Sequence, residues 1–384
     1  MTSPAAGRLR VVTATDEHAA AMAGFFRKTW DPSSTGERVL AARRNGAAAN
    51  PAFPGEVSPT FLAFHGSEVV GYLGSLPVRF WVLGHTVPGY WAKGLMVLPE
   101  YRNGPIGPLV VREASKQLPV LGSLAVNPPA LRLFAASGLK HVGVLSNRLV
   151  PLRAGNIVRR LDPALLPLER MPKPLGVLVA IATRPGLRPI FSIGAGLGGR
   201  FLSLVRRAPG RRGMAWDSGA ELPSGVDALW ESVREHQSAG VVRDSAHLRW
   251  RYGAPANEGY RYVAVRERGR LAGLGVVRAP RAQGDPRLHG IKVAVLSEVI
   301  ADPSGPRPLR ALVSAAEEVA AMMDADALLC SDTHAGLART LSRYGALSLP
   351  ANVNFLIRLP AGTEVPPLDQ WWLTRGDGDA DEVF

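Results

Sequence analysis

The stretch VLPEYRNGPIGPLVVREA, Val97 to Ala114, decides how the first part of this chain is read. The preceding YWAKGLMVL has the character of a strand, and PLVVREASKQL after it has helical spacing. A strand that turns directly into a helix presents N–H groups without internal partners and the positive end of the helix dipole, so it forms an anion site suited to a pyrophosphate. Two prolines stand in this turn. Pro108, near the helix start, supplies a suitable φ and removes only an N–H that lacks an intrahelical partner. Pro105 stands where a glycine would permit a tight backbone path and offer an amide, and Gly104 is placed to restore the turn. Two missing donors, at about 0.5–1.5 kcal/mol each, lower anion affinity without abolishing it.

Working outward, strand and helix patterns alternate from Leu9 to Leu152. RLRVVTA predicts a strand, EHAAAMAGFFRKTW a helix, and FLAFHGSEVVGYLGSLPVRFWV two strands joined at His65-Gly66-Ser67-Glu68. After the quoted loop and helix come the strand VLGSLAV, the helix PPALRLFAASG ending at Gly138, and the strand KHVGVLSNRLVPL. Residues 153–222 are rich in Pro, Gly and Arg, and predict a linker with one or two helices. From Pro223 a second α/β unit follows: the helix VDALWESVREHQ, a hairpin turning at Arg268-Gly269, the strand KVAVLSEVIAD, the helix PLRALVSAAEEVAAMMDA, the strand DALLCSD, the helix GLARTLSRYGA and the strand NVNFLIRLP. The order of elements repeats that of the first half, without an obvious repeat of residues. The expected division is 8–152, a linker at 153–222, a second unit at 223–360 and a tail at 361–384. The fold class expected is α/β, a mixed sheet flanked by helices.

The chain of 384 residues carries 45 Lys and Arg against 32 Asp and Glu, a net charge of +13. That charge suits an acidic partner: a nucleotide cofactor, tRNA, an acidic carrier protein or an anionic membrane surface. Biased codon usage is the stronger explanation, because the chain is rich in Ala, Gly, Pro and Arg with few Lys, and its Arg residues are spread along it. The single cysteine, Cys330, excludes an internal disulfide and fits a reducing, cytoplasmic setting. The N-terminus lacks the apolar run of a secretory signal. In PLGVLVAIATRPGLRPIFSIGAGLGGRFLSLVRR, Arg184, Arg188 and Arg200 interrupt the ~20 apolar residues that a spanning helix needs. This segment is expected to be a helical linker, with peripheral membrane contact as the alternative.

The first half resembles the GCN5-related N-acetyltransferases (GNAT). Leu95, Val97, Pro99, Tyr101, Arg102, Ile106 and Gly107 match that family's strand-and-loop signature, with Pro105 in place of its glycine. A second family element, Asn-x-x-Ala-x-x-Leu-aromatic-x-x-x-Gly, is complete as Asn127, Ala130, Leu133, Phe134 and Gly138. The resemblance implies direct attack of an amine acceptor on the thioester of acyl-CoA, acetyl-CoA or an acyl-phosphopantetheine on a carrier protein. It places Met96, Val97, Arg102, Asn103, Gly104, Ile106, Gly107, Pro108, Asn127 and Phe134 against the donor, with backbone N–H around Met96 and Val97 holding the acyl carbonyl. Phe134 occupies the position of the family's proton-donating tyrosine and has no proton to give. Tyr90 and Lys93, on the strand facing the acyl group, are the candidates for substrate contact. Glu100, His65, Glu68 and His85 are expected at the surface.

The second half has no glycine loop after SEVIAD and is expected to be a degenerate, non-binding GNAT-like sister, making the chain a tandem member. DSAHLRWRYG and WWLTRGDGD resemble elements of two-domain acetyltransferase-like proteins of polysaccharide or natural-product biosynthesis; Trp250, Trp371 and Trp372 read as packing between domains. Cys330 and His334 are too few ligands for a metal. Two rival functions remain at this level: an aminoacyl-tRNA-dependent transferase of the peptidoglycan-bridge type, which +13 would suit, and a non-catalytic acyl-CoA-binding protein, which Pro105 and Phe134 together suggest.

Overall fold

The computed structural model describes residues 8–48, 50–160, 181, 184, 186–207, 213–253, 259–285, 288–302, 305–378 and 380. In chain order the first half comprises β1 (Leu9–Thr13), α1 (Ala19–Thr29), α2 (Gly36–Ala48), β2 (Phe61–His65), β3 (Glu68–Val82), β4 (His85–Val97), α3 (Ile106–Gln117), β5 (Leu121–Leu124), α4 (Pro128–Ala136) and β6 (Lys140–Pro151). Two helices, α5 (Ala154–Arg160) and α6 (Arg188–Arg207), and the strand β7 (Ala215–Gly219) follow. The second half adds α7 (Val226–Arg234), β8 (Ala239–Val241), α8 (Ser245–Tyr252), β9 (Tyr260–Glu267), β10 (Arg270–Arg278), β11 (Val293–Ala301), α9 (Pro306–Met322), β12 (Ala327–Asp332), α10 (Ala335–Arg343), β13 (Leu347–Arg358) and β14 (Trp371–Trp372). The expected hairpin turns form. Gly66, Arg268 and Gly269 adopt positive φ, as two-residue turns between twisted strands require.

All these strands join one mixed sheet in the order β1-β2-β3-β4-β5-β13-β6-β12-β11-β10-β9-β7, with β8 bridging β3 and β14. The centre of this order is an exchange. β13 from the second half pairs with β5, while β6 from the first half pairs with β12. The two exchanged strands lie antiparallel to each other, Leu347 opposite Leu149 through Ile357 opposite Lys140. Neither half therefore closes its sheet with its own last strand. The long run β2-β3-β4-α3-β5-α4-β6 has the same element order as β9-β10-β11-α9-β12-α10-β13.

Alternation within each strand and 3.6-residue spacing within each helix account for the cores. On α3, Ile106, Val110, Val111 and Ala114 form the buried face, and each large side chain contributes about 1.5–3 kcal/mol on burial. That face packs so closely that a Cβ on Gly71 of β3 would lie 2.4 Å from Ile106 Cγ2. A separate core lies under α9 around Leu312, Val313 and Ala316. Between them Phe80, Trp91, Phe355 and Trp371 pack edge-to-face, with ring centroids 4.9–6.0 Å apart. Trp371 and Trp372 are buried, and Trp250 is half-buried.

Candidate active site

β4 and β5 pair in parallel only at Tyr90–Leu121 and Trp91–Gly122, and then separate. A bulge accompanies the separation: Met96 lies opposite Tyr72, Lys93 opposite Gly74, and Gly94 between them has φ +64°. Only a residue without Cβ adopts that conformation without strain, and a bulge of this kind turns the strand away from its neighbour. Leu98 N–H donates to Val70 C=O on β3 at 3.0 Å. Because successive N–H groups alternate sides along a strand, Val97 N–H and C=O face the open edge and those of Met96 face β3. Arg102 Nε donates to Val97 C=O at 3.2 Å across this edge.

The opening continues into a groove of about 990 Å³ between the N-terminal half of α3 and the length of α4 from Asn127 to Gly138. It is lined by Val97, Arg102, Asn103, Gly104, Gly107, Pro108 and Asn127, all anticipated from the sequence, and by Arg112, Arg132 and Ser137, which were not. The two arginines were legible in principle. Arg112 lies four residues after Pro108 on α3, and Arg132 three after Pro129 on α4, so helical periodicity carries both to the groove. Among the described residues no Asp, Glu or His lines it. The groove thus offers cations and helix N-termini, groups that suit an anionic ligand, and no general base among its described lining.

The turn itself differs from expectation. Pro105 is the N-cap of α3 at φ −80°, an ordinary proline value, and neither it nor Gly104 has positive φ. No glycine is needed at either place for the backbone path. Leu109 N–H is bonded to Pro105 C=O, which leaves the N–H groups of Ile106 and Gly107 as the first-turn donors, Pro108 having none. Gly107 matters for a different reason: a Cβ there would meet Leu133 Cδ1 at 2.6 Å, so the Leu133 side chain between α3 and α4 would have to shift. Asn127 caps α4, its side chain accepting from Ala130 N–H at 2.9 Å, and Gly138 ends that helix at φ +96°.

The remaining candidates do not line the groove. Ile106 and Phe134 are core residues, each about 1% exposed. Tyr90 is buried against Phe53 with ring centroids 4.7 Å apart, and that burial raises its phenol pKa. Lys93 and Met96 are half-buried on β4. Glu68 pairs with Lys28, His65 Nδ1 hydrogen-bonds Tyr101 Oη at 2.9 Å, and Glu100 and His85 are exposed. Cys330 is buried, which pushes its thiol pKa far up. His334 caps α10 by accepting from Leu337 N–H at 3.1 Å. Among the described residues no group of His, Cys, Asp or Glu could hold a metal.

A parting of strands in the second half is filled, although a groove of about 620 Å³ remains beside α9 and α10, lined by Pro306, Leu309, His334, Arg339, Arg343 and Trp372. β11 and β12 also pair over a few residues and part after Leu296–Cys330, but the C-terminal segment fills the gap. Gly376 N–H donates to Ser297 C=O on one edge at 2.8 Å, and Thr333 N–H, just past β12, donates to Leu373 C=O at 3.2 Å. A buried ion cluster fixes the segment: Arg243 holds Glu298 and Asp377, each at 2.7 Å, and Thr374 N–H donates to Asp377 Oδ2 at 2.8 Å.

Comparison with family models finds no match, and comparison with curated proteins finds none. Solved structures do match in shape. A GCN5-related N-acetyltransferase from Kribbella flavida superposes with TM-score 0.53 at 15% identity, covering 93% of this chain and 72% of its own. One from Anabaena variabilis gives 0.54 at 10%, covering 92% and 73%. N-myristoyltransferase of Saccharomyces cerevisiae, in a structure with bound myristoyl-CoA, gives 0.56 at 12%, covering 96% and 84%. The chain therefore has a GNAT-like fold, a mixed α/β sheet flanked by helices.

Proposed function

We propose that the protein is a GNAT-type N-acyltransferase that takes an acyl group from a CoA thioester held in the groove between α3 and α4 and passes it to an amine. The observation that carries this reading is the parting of β4 from β5 directly above a groove lined by Arg102, Arg112 and Arg132. In this reading the pyrophosphate lies against the N–H groups of Ile106 and Gly107 and the three guanidinium groups, and Val97 N–H holds the acyl carbonyl as the tetrahedral intermediate forms. Met96, whose own N–H and C=O face β3, contributes only by holding Val97 in place beside the bulge at Gly94. The buried ring of Phe134 supplies no proton, so the thiolate leaves unassisted by that side chain. In this reading Lys93, half-buried on β4, is the candidate for acceptor contact, and Tyr90, buried against Phe53, supports the strand. The GNAT-like fold shared with structures that include a myristoyl-CoA complex supports the choice of donor.

The chain is further read as a tandem pair, 8–152 and 223–360 joined by 153–222, with β7 of that joining stretch already paired to β9 of the second unit and the tail from 361 filling the gap between β11 and β12. Three features support it: the repeated element order, the reciprocal exchange of β6 and β13, and the equal placing of two capped helices. Asn127 and Gly138 bound α4 as His334 and Gly345 bound α10, with both glycines at positive φ. A second reading of the donor, acyl-phosphopantetheine on a carrier protein, is favoured by Pro108, since a donor without the adenosine pyrophosphate needs fewer amides.

The test is to incubate the protein with acyl-CoAs of increasing length and a panel of amines, and to follow both thiol release and the mass of the acylated amine. Release that requires an amine, with matching acylated product, supports transfer. CoA binding without release from any acyl-CoA or acyl carrier would leave a binding protein instead.

A further inference from the structure

Helix α6 is docked with its apolar face outward. Ile190, Ile193, Leu197, Phe201, Leu202 and Val205 are 53–68% exposed, and their spacing of three and four residues places them along one stripe. The opposite face is polar or small. Ser203 Oγ donates to Glu317 Oε1 at 2.6 Å, and Arg206 holds the same carboxylate and donates to Pro151 C=O at 2.7 Å. Gly199 lets Ala154 of α5 approach: a Cβ there would be 3.1 Å from Ala154 Cβ. An ordinary surface helix turns its apolar stripe to the core. This one is anchored by its polar side, so the stripe is left facing solvent, where apolar patches of this extent mark contact sites.

Charge indicates what covers it. From Arg153 to Arg212 the sequence carries twelve Arg and Lys residues against two acidic ones, Asp162 and Glu169, so this one stretch supplies most of the net +13. No acidic residue lies within α6 itself, and Arg159, Arg160 and Arg184 beside it are exposed. Such an excess opposes the approach of a second identical copy and attracts an anionic one. No helix among the described residues is long and apolar enough to cross a membrane. We infer that α6 lies in the plane of an anionic lipid bilayer, its stripe entering the acyl boundary and the flanking arginines meeting lipid phosphates.

The experiment is flotation of the full-length protein with vesicles of phosphatidylcholine alone and with added phosphatidylglycerol, at low and high salt. The variant is Leu197→Ser with Phe201→Ser, both exposed positions, with circular dichroism to check that it folds as the parent does. Expected are roughly tenfold stronger binding to the anionic vesicles at low salt, its decline as salt rises, and a loss of roughly tenfold or more in the double variant. Three results overturn the inference. One is no flotation with either vesicle. Another is equal flotation of parent and double variant, which would reduce the effect to charge alone. The third is a parent dimer that the double variant dissolves while neither floats, which would assign the stripe to a second copy.

Discussion

Replacing the two loop prolines separately distinguishes what each does. Pro108 is the third residue of α3 and lines the groove; Pro105 is the N-cap, lies at φ −80° and does not line it. Pro108→Ala creates an N–H at a first-turn position with no intrahelical acceptor, directed at the place assigned to the pyrophosphate. A hydrogen bond to a charged oxygen is worth about 1.5 kcal/mol at the lower end, or ~10-fold in Kd. Pro105→Ala adds an amide outside the groove and relieves no strained turn, so Kd should move by less than ~3-fold. Both variants lose the stiffness proline gives the unfolded chain, at about 0.5–1 kcal/mol, and both should therefore melt slightly lower. Calorimetric titration with acetyl-CoA, alongside thermal melts, reads all of these. Tighter binding by Pro105→Ala with no change in Pro108→Ala would refute the placing of the phosphates against the first turn of α3.

Replacing Arg102, Arg112 and Arg132 together by Ala should weaken CoA binding by roughly 30-fold or more and flatten its dependence on salt, measured by the same titration. Gly107→Val should push α4 from α3 through Leu133 and lower both CoA affinity and Tm, with a stability loss of about 1–3 kcal/mol by chemical denaturation. Asp332 is buried, which pushes its carboxyl from 3.8 up to about 7 against the opposing pull of Arg148 and the His334 N–H. A raised carboxyl favours folding while protonated and loses that contribution as pH rises toward 7, so Asp332→Asn should match the parent near pH 4 and melt higher at pH 8. Glu317 has the opposite sign. Burial alone would raise its pKa, but Arg206, Ser203 and Tyr344 outweigh that and hold it low; Glu317→Gln should destabilise by about 3 kcal/mol at neutral pH and progressively less as pH falls through the acid range.

The local half of this architecture was legible because its signals are local. The strand-loop-helix at Val97–Ala114, the cap at Asn127 and the stop at Gly138 are each set by a few neighbouring residues, and they bring most of the groove together. What escaped is set by contacts distant in sequence. An alternating strand records which face is buried but not which strand lies beside it, so nothing in KHVGVLSNRLVPL or NVNFLIRLP announced their exchange between halves. The filling of the gap between β11 and β12 depends on Arg243, Glu298 and Asp377 meeting from three distant places. The arginines of the groove were hidden differently, as exposed helical charges of a kind that usually only solvates a surface. For α6 the sequence carried the amphipathic period but not its direction, which depends on Glu317 receiving the polar side.

Hydrogen exchange with and without a non-hydrolysed acyl-CoA tests the central claim most directly. If the groove between α3 and α4 is the donor site, protection should rise from Leu95 to Leu109 and from Asn127 to Leu133, while Ser297 to Asp302, against the C-terminal segment, and Gly305 to Leu309 and His334 to Thr340, around the second groove, stay unchanged. Protection confined to the second half, or none at saturating ligand, would contradict it.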